Sequence, residues 1–284
     1  MIDKRVADVI RAVGRETDAP QEVVEAVVRG ALPSIRLITQ FSKEGEAPRL
    51  GGCRIGGLPD LPAGVNWPRL SAALKCAPSA PQREDEPLWF LMQVNLAEVA
   101  ATDVATLLPK AGMLYFFFHW HAADEPEAPD TGLVLFHKGG ELPLRRVEAP
   151  TDMHSAAHFR GVNLMPHLEW TVPPLCDYTN CHLGFWDNLD YRVTEIQGFD
   201  DGWGPAPVHR MLGHPEFLQS NRLAEREVLL LQVSSDCPSG ISGVGPYPET
   251  GMMWGDVGRI YYIISEADLK TQHFGNVLAV LENQ

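Results

Sequence analysis

The sequence predicts an α+β fold, mostly antiparallel β, built on an internally duplicated turn–strand–hairpin unit behind a short N-terminal helical segment. Three observations carry this. From Ile35 onward the apolar residues alternate or run in short blocks, which is strand patterning. Gly 25 and Pro 23 among 284 residues interrupt the backbone too often for long helices. Three elements also recur in one order: Gly57-Leu58-Pro59-Asp60-Leu61 in Gly213-His214-Pro215-Glu216-Phe217, Phe90–Val94 in Leu229–Val233, and Gly112-Met113-Leu114-Tyr115-Phe116 in Gly258-Arg259-Ile260-Tyr261-Tyr262.

Taken in chain order, Val6, Val9, Ile10 and Val13 recur at helical spacing, and a second apolar segment opens at Asp18 and Pro20 and closes at Gly30. Residues 1–30 are thus a helical segment, and residues 31–284 one domain with repeats at about 51–120 and 207–265. Ile35, Leu37, Thr39 and Phe41 share one face of a strand. Further strands are expected at Leu88–Val94, Met113–Trp120, Gly132–His137, Leu142–Val147, Val228–Ser234, Arg259–Ile264 and Val277–Leu281. Lys138-Gly139-Gly140 is expected to join two of these as a hairpin, because glycine supplies the positive φ of a tight turn. Ala97–Leu108 reads as a helix stopped by Pro109, and residues 148–208 as irregular short strands.

Lys and Arg number 23 against 37 Asp and Glu, a net charge of −14. Nucleic acids and anionic membranes select basic surfaces, so neither is expected as a partner. A basic peptide or protein suits the charge, although acidity also simply keeps a protein in solution. The first 17 residues are amphipathic and lack the apolar run of a signal peptide. The longest apolar stretch, Met113–Phe118, is far short of the ~20 residues of a membrane-spanning helix. A soluble, cytoplasmic protein is expected, its 5 cysteines reduced.

Several constellations invite a chemical reading. Gly56-Gly57 followed by Pro59 and Pro62 suits a structural turn better than an anion nest, because the prolines remove donors. His119 and His121 share a face at a strand end and Cys176, Cys181 and His182 lie close in sequence, so both sets are weak metal candidates against a default of ordinary surface or buried side chains. Gln93 and Gln232 interrupt apolar strands and should be buried and hydrogen-bonded. Asp60, Trp67, His209, Trp254 and Asp256 all lie on turns flanking the echoed elements, and a pseudo-twofold axis would gather them into one ligand-binding cleft. The competing reading has the tryptophans plug the core and the aspartates cap turns. No phosphate loop, dinucleotide fingerprint, nucleophile elbow or His-Glu-x-x-His helix is present, and no cofactor is implied.

Ile55-Gly56-Gly57-Leu58-Pro59-Asp60-Leu61-Pro62 with Trp67-Pro68, Phe90–Leu96, Gly112–Phe117, His209–Pro215, Leu230–Val233 and Met253–Tyr261 together resemble the YwqG-like family, also called DUF1963. The resemblance spans about residues 35–281. It departs at Cys53-Arg54, where such proteins often carry Ser-Lys, and at Ser234-Ser235-Asp236, which replaces a more usual acid-bearing run. It implies a bacterial, largely β, α+β protein and no particular reaction. The leading expectation is a non-catalytic binding protein engaging a peptide or protein through a cleft between its repeats. The alternative is a hydrolase-type or metal-dependent enzyme with Asp60, His209 and Asp256 as acid–base groups.

Overall fold

The computed structural model describes residues 2–40, 48–70, 85–102, 104, 107–119, 131–139, 143–174, 183–199, 207–219, 223–236 and 249–283. The chain starts with α1 (Lys4–Glu16), whose first turn is capped by Asp3 accepting from the Arg5 amide at 2.7 Å, and α2 (Gln21–Gly30), entered through Pro20. The helical spacing read from the sequence is the packing face: Val6, Ile10 and Val13 bury with Val24, Val27 and Val28. A third helix, α4 (Leu183–Ile196), closes this cluster with Phe185, Leu189 and Val193. It falls within residues 148–208, where only irregular strands were expected. Its aromatic residues mask the 3.6-residue period, since Phe185 is buried while its neighbour Trp186 packs at the margin.

Ten strands form one antiparallel sheet. They are β1 (Leu32–Gln40), β2 (Arg54–Ile55), β4 (Trp89–Asn95), β5 (Met113–His119), β6 (Thr131–His137), β8 (Val162–Thr171), β9 (Arg210–Leu212), β10 (Glu227–Ser234), β11 (Arg259–Ser265) and β12 (Leu278–Glu282). Their order is β12-β11-β10-β9-β1-β8-β2-β4-β5-β6. β3 (Asp60–Pro62) and β7 (Leu144–Arg146) make a separate two-stranded ribbon. The long β1–β8 pair forms the middle, with β2 joined to β8 and β9 joined to β1. On one side β4, β5 and β6 follow; on the other, β10, β11 and β12.

Local detail recurs on the two sides. β4 carries a bulge between Phe90 and Met92, and β10 one between Leu229 and Leu231. Gln93 lies between Arg54 and Tyr115, and Gln232 between Arg210 and Tyr261. The turns after β2 and β9 each depend on a glycine. Gly57 has φ +68° with the Gly161 Cα 2.9 Å from where a Cβ would stand, and Gly213 has φ +71° with Ser34 Cβ at 2.6 Å.

The sheet curls until its two ends meet. The Phe116 and Tyr262 rings touch edge-on at 5.1 Å, and the Tyr262 hydroxyl donates to the Phe117 carbonyl at 2.9 Å. β6 and β12 lie against each other, so closely that a Cβ on Gly132 would stand 2.3 Å from that of Ala279, yet the two strands form no ladder. The main core fills the inside of the curl with Ile35, Leu37, Leu91, Phe116, Phe118, Leu231, Val233, Trp254 and Tyr262. A second cluster around Trp67, Phe90, Tyr115 and Phe117 lies under the β3–β7 ribbon, and a small third one surrounds Leu229, Tyr261 and Ile263.

Three sequence expectations are corrected. The helix expected over Ala97–Leu108 is the five-residue α3 (Leu96–Ala100), capped by the Asn95 side chain and followed by a turn. The strand expected at Leu142–Val147 is only β7, and it pairs with β3 instead of forming a hairpin with β6. Finally, residues 148–208 contain β8, ten residues long and central to the sheet. Pro166 within it breaks the expected pattern and is tolerated beside Leu37 in the β1–β8 register.

Candidate functional site

Gln93 and Gln232 organise two buried polar ties, on the first and second sides of the sheet respectively. Both are wholly buried. The Gln93 side-chain carbonyl accepts from the Asp60 amide at 2.8 Å and from Arg54 Nη2 at 3.1 Å, while its Nε2 donates to the Gly52 carbonyl and to Asp60 Oδ2, both at 2.9 Å. Gln232 accepts from the Glu216 amide at 2.9 Å and donates to the Val208 carbonyl at 3.1 Å. Tyr115 donates to the Asp60 carbonyl and Tyr261 to the Glu216 carbonyl, each at 2.6 Å. Each glutamine therefore staples the turn that follows β2 or β9 onto the face of the sheet, satisfying amides that a buried loop would otherwise orphan.

Each tie also holds an acid between two arginines. Asp60 pairs with Arg54 at 3.1 Å and Arg146 at 2.9 Å; Glu216 pairs with Arg210 at 2.9 Å and Arg259 at 3.1 Å. Burial opposes ionisation of Asp60, but bonds from Arg146, Arg54 and the Gly51 amide hold its carboxyl down to about 2. Burial likewise opposes charge on Glu216, and the guanidinium of Arg210 pulls its carboxyl below the usual range. Arg210 further forms a bidentate pair with Glu169, which also accepts from Ser34 at 3.0 Å and pairs with Arg36 at 3.4 Å.

The five cleft candidates have different surroundings. Asp60 is fully enclosed in the first tie. Trp67 is buried in the cluster under the ribbon, its indole donating to the Leu88 carbonyl at 2.7 Å, with Phe90 and Phe117 edge-on. Trp254 is wholly buried in the main core instead, against Phe118 and Phe159. His209 is buried beside β10, where Nδ1 accepts from the Ser234 amide at 3.3 Å. Burial, with Arg36 adding to it, pushes the imidazole down to about 3. Asp256 is exposed on the turn before β11. The two indoles thus contribute to separate apolar clusters, and Asp60 and His209 are closed from solvent.

Of the weak metal candidates, His119 is buried and contacts Glu86 at 3.0 Å, while His121, Cys176, Cys181 and His182 lie outside the described residues. Among the described residues no three His, Cys, Asp or Glu side chains gather as a metal site would require. Both Gly56 and Gly57 amides are engaged, with the Leu91 and Phe159 carbonyls, so this turn offers no anion nest. Asp236 accepts from the amides of Thr250, Gly251 and Met252 and ties down the segment before Trp254. Burial nonetheless raises its carboxyl above the usual value.

Sequence reasoning did not single out an aromatic seam where the two sides meet. The exposed His154 stacks on Trp89 at 5.7 Å, Trp89 meets Phe159, and Phe159 meets Trp254, so rings from β4, the 152–160 segment and the turn before β11 run from the surface into the core. In the sequence these residues, at 89, 154, 159 and 254, share no spacing that links them.

A family model for a domain of unknown function, DUF1963, matches residues 53–282. The chain belongs to this family. The DUF1963 match takes in both glutamines, the acids Asp60 and Glu216 that they hold, and the seam, and begins after α1, α2 and β1. No curated protein matches this DUF1963 chain. No helix among its described residues is long and apolar enough to cross a membrane.

Proposed function

We propose that the protein is a non-catalytic binding protein, two copies of one unit joined about a pseudo-twofold axis, which engages a peptide or protein partner at the junction of the copies. The observation that carries the binding reading is the dispersal of Asp60, His209 and Asp256. An acid–base pair needs a shared reacting atom within hydrogen-bond reach and a base that titrates near neutrality. Asp60 is enclosed between arginines, His209 is neutral and buried, and Asp256 is at the surface.

The duplication is supported by the strand order about β1–β8, the bulges at Phe90 and Leu229, and the matched bonds of the two ties. In this reading β1 and β8 are exchanged between the units, since β2 pairs with β8 and β9 with β1. The exposed His154, stacked on the buried Trp89, is the surface end of the aromatic seam at the junction, and the net charge of −14 favours a basic partner in the cytoplasm.

Affinity capture with the intact chain, followed by crosslinking, tests this. A partner crosslinked near residues 152–160, lost in Trp89→Ala and His154→Ala, supports the reading. Turnover in a broad substrate screen that Asp60→Asn and His209→Gln abolish would replace it with the enzymatic one.

A further inference from the structure

The connection from β7 to β8 crosses the joint between the main core and the cluster under the ribbon, yet its backbone is fixed only at its ends. There the Val147 amide donates to the Pro59 carbonyl at 3.0 Å, the Gly57 amide to the Phe159 carbonyl at 3.0 Å, and the Arg160 amide to the Thr250 carbonyl at 2.8 Å. Between these points residues 148–158 make no backbone bond to any other described residue. The Met153 amide donates to Pro150, that of Ala157 to His154 and that of His158 to Ser155, all within the segment.

Side chains alone hold the segment down. Asp152 pairs with Arg69 at the surface, the exposed His154 stacks on Trp89 at 5.7 Å, and the half-buried Met153 packs against both apolar clusters at once. Ala157 adds a small contact with the main core. Arg69 does not depend on Asp152, because it also donates to the Asp85 carbonyl at 2.8 Å and carboxylate at 3.1 Å. Thr151, Asp152, Ser155, Ala156 and His158 face solvent. A segment with internal backbone bonds, few apolar contacts and a wet outer side opens at a small fraction of the cost of global unfolding. Beneath it Trp89, in β4, is 8% exposed while the segment is in place.

We infer that residues 148–158 are a strap that opens as a unit about its two fixed ends, and that the groove beneath it receives a peptide segment of the partner carrying an aliphatic or thioether side chain in the place of Met153 and a ring in the place of His154. The strap itself is the template for this chemistry. It supplies one apolar side chain over the joint of the clusters and one flat ring on an indole, and it asks for no main-chain bond. A charged residue in the place of Met153 would lose its water without gaining a partner. With the strap open, His154 flanks the incoming segment. The inference rests on the binding reading for what enters the groove, whereas the opening of the strap stands without it.

Native-state labelling of Met153→Cys with iodoacetamide, mapped by mass spectrometry, reads the opening, and the buried Cys53 of the same chain reads global unfolding. The introduced thiol should label faster than Cys53, and low urea should speed Cys53 steeply but the introduced thiol only slightly, because a local opening exposes little surface. Removing the ion pair and the stack together, with Asp152→Ala and His154→Ala, should speed the introduced thiol roughly tenfold. Equal rates with equal urea dependence would mean that the strap opens only when the whole chain unfolds, and a rate indifferent to the two substitutions would mean static exposure; either overturns the strap. The groove is probed with a fluorescent peptide of residues 148–161 followed by anisotropy. It should bind Asp152→Ala/Met153→Ser saturably, and the unmodified chain roughly tenfold or more weakly, since a closed strap lowers the competent fraction. No binding to the variant, or equal binding to both chains or by a scrambled peptide, overturns the groove, and if that variant does not fold the labelling series still decides. An opening strap in a chain that captures no partner would sink the binding reading alone, and a captured partner with a strap that stays shut would sink this inference alone.

Discussion

Replacing Gln93 by leucine keeps the side chain's approximate size and removes all four of its hydrogen bonds. Two of its partners retain alternatives: Arg54 Nη2 still reaches the Leu58 carbonyl, and Asp60 Oδ2 still accepts from the Gly51 amide at 2.9 Å. The Asp60 amide and the Gly52 carbonyl keep none among the bonds described. At about 1–3 kcal/mol per orphaned buried group, Gln93→Leu should cost roughly 2–6 kcal/mol. Gln232→Leu orphans only the Glu216 amide, because the Val208 carbonyl also accepts from the Ser234 hydroxyl at 2.8 Å, so it should cost about half as much, roughly 1–3 kcal/mol. Urea unfolding followed by tryptophan fluorescence gives both numbers, provided the denaturant slope is unchanged. Equal losses, or a Gln93→Leu variant as stable as the parent, would refute the stapling argument. A larger slope would instead mean that the denatured state had changed.

Acid should destabilise the fold through His209. Its folded pKa, about 3, lies below the ordinary ~6.5, so as pH falls below ~6.5 the unfolded chain takes up a proton that the buried imidazole refuses. The resulting loss is about 1.4 kcal/mol per pH unit, roughly 2 kcal/mol by pH 5, and His209→Gln should flatten this slope in urea titrations across that range. Asp60, with a carboxyl held at about 2, adds its own loss only at lower pH, between its unfolded value and 2. Gly57→Ala and Gly213→Ala force a Cβ into a left-handed backbone and against neighbouring atoms, so each should lower the melting temperature by the equivalent of 1–2 kcal/mol or more, in order-of-magnitude terms. Asp256→Ala, at an exposed position, should change stability by less than about 0.5 kcal/mol, and a larger fall in the melting temperature would reinstate a capping role.

The strands that sequence made legible are β4, β5, β6, β10, β11 and β12, which lie within a residue or two of their expected limits. β8 was obscure because it combines Pro166, His167 and Glu169 with its apolar residues, and Glu169 serves an ion-pair cluster, not a simple core. The partner of β7 was illegible for a different reason. Local turn chemistry at Gly139 favoured a hairpin, but the partner that β7 takes, β3, is more than 80 residues earlier in the chain. For the site, sequence marked Gln93, Gln232, Asp60 and Trp254 as unusual, correctly anticipating buried, hydrogen-bonded glutamines. It could not separate a turn residue whose side chain faces a pocket from one whose side chain is engaged by two arginines, because Arg146 comes from a strand 86 positions away from Asp60.

The crossed pairing at the centre of the sheet bears on how the chain can be divided. β2 hydrogen-bonds to β8, and β9 to β1, so a cut in the middle of the sequence leaves each piece with a strand whose ladder partner is on the other piece. Neither piece can complete its own sheet, and both expose the apolar faces of β1 or β8 when alone. Co-expressed, they have a single way to satisfy those edges, which is to regain the intact ten-strand order. The topology therefore makes this protein a natural split pair, in which reassembly of two fragments reports that they have met.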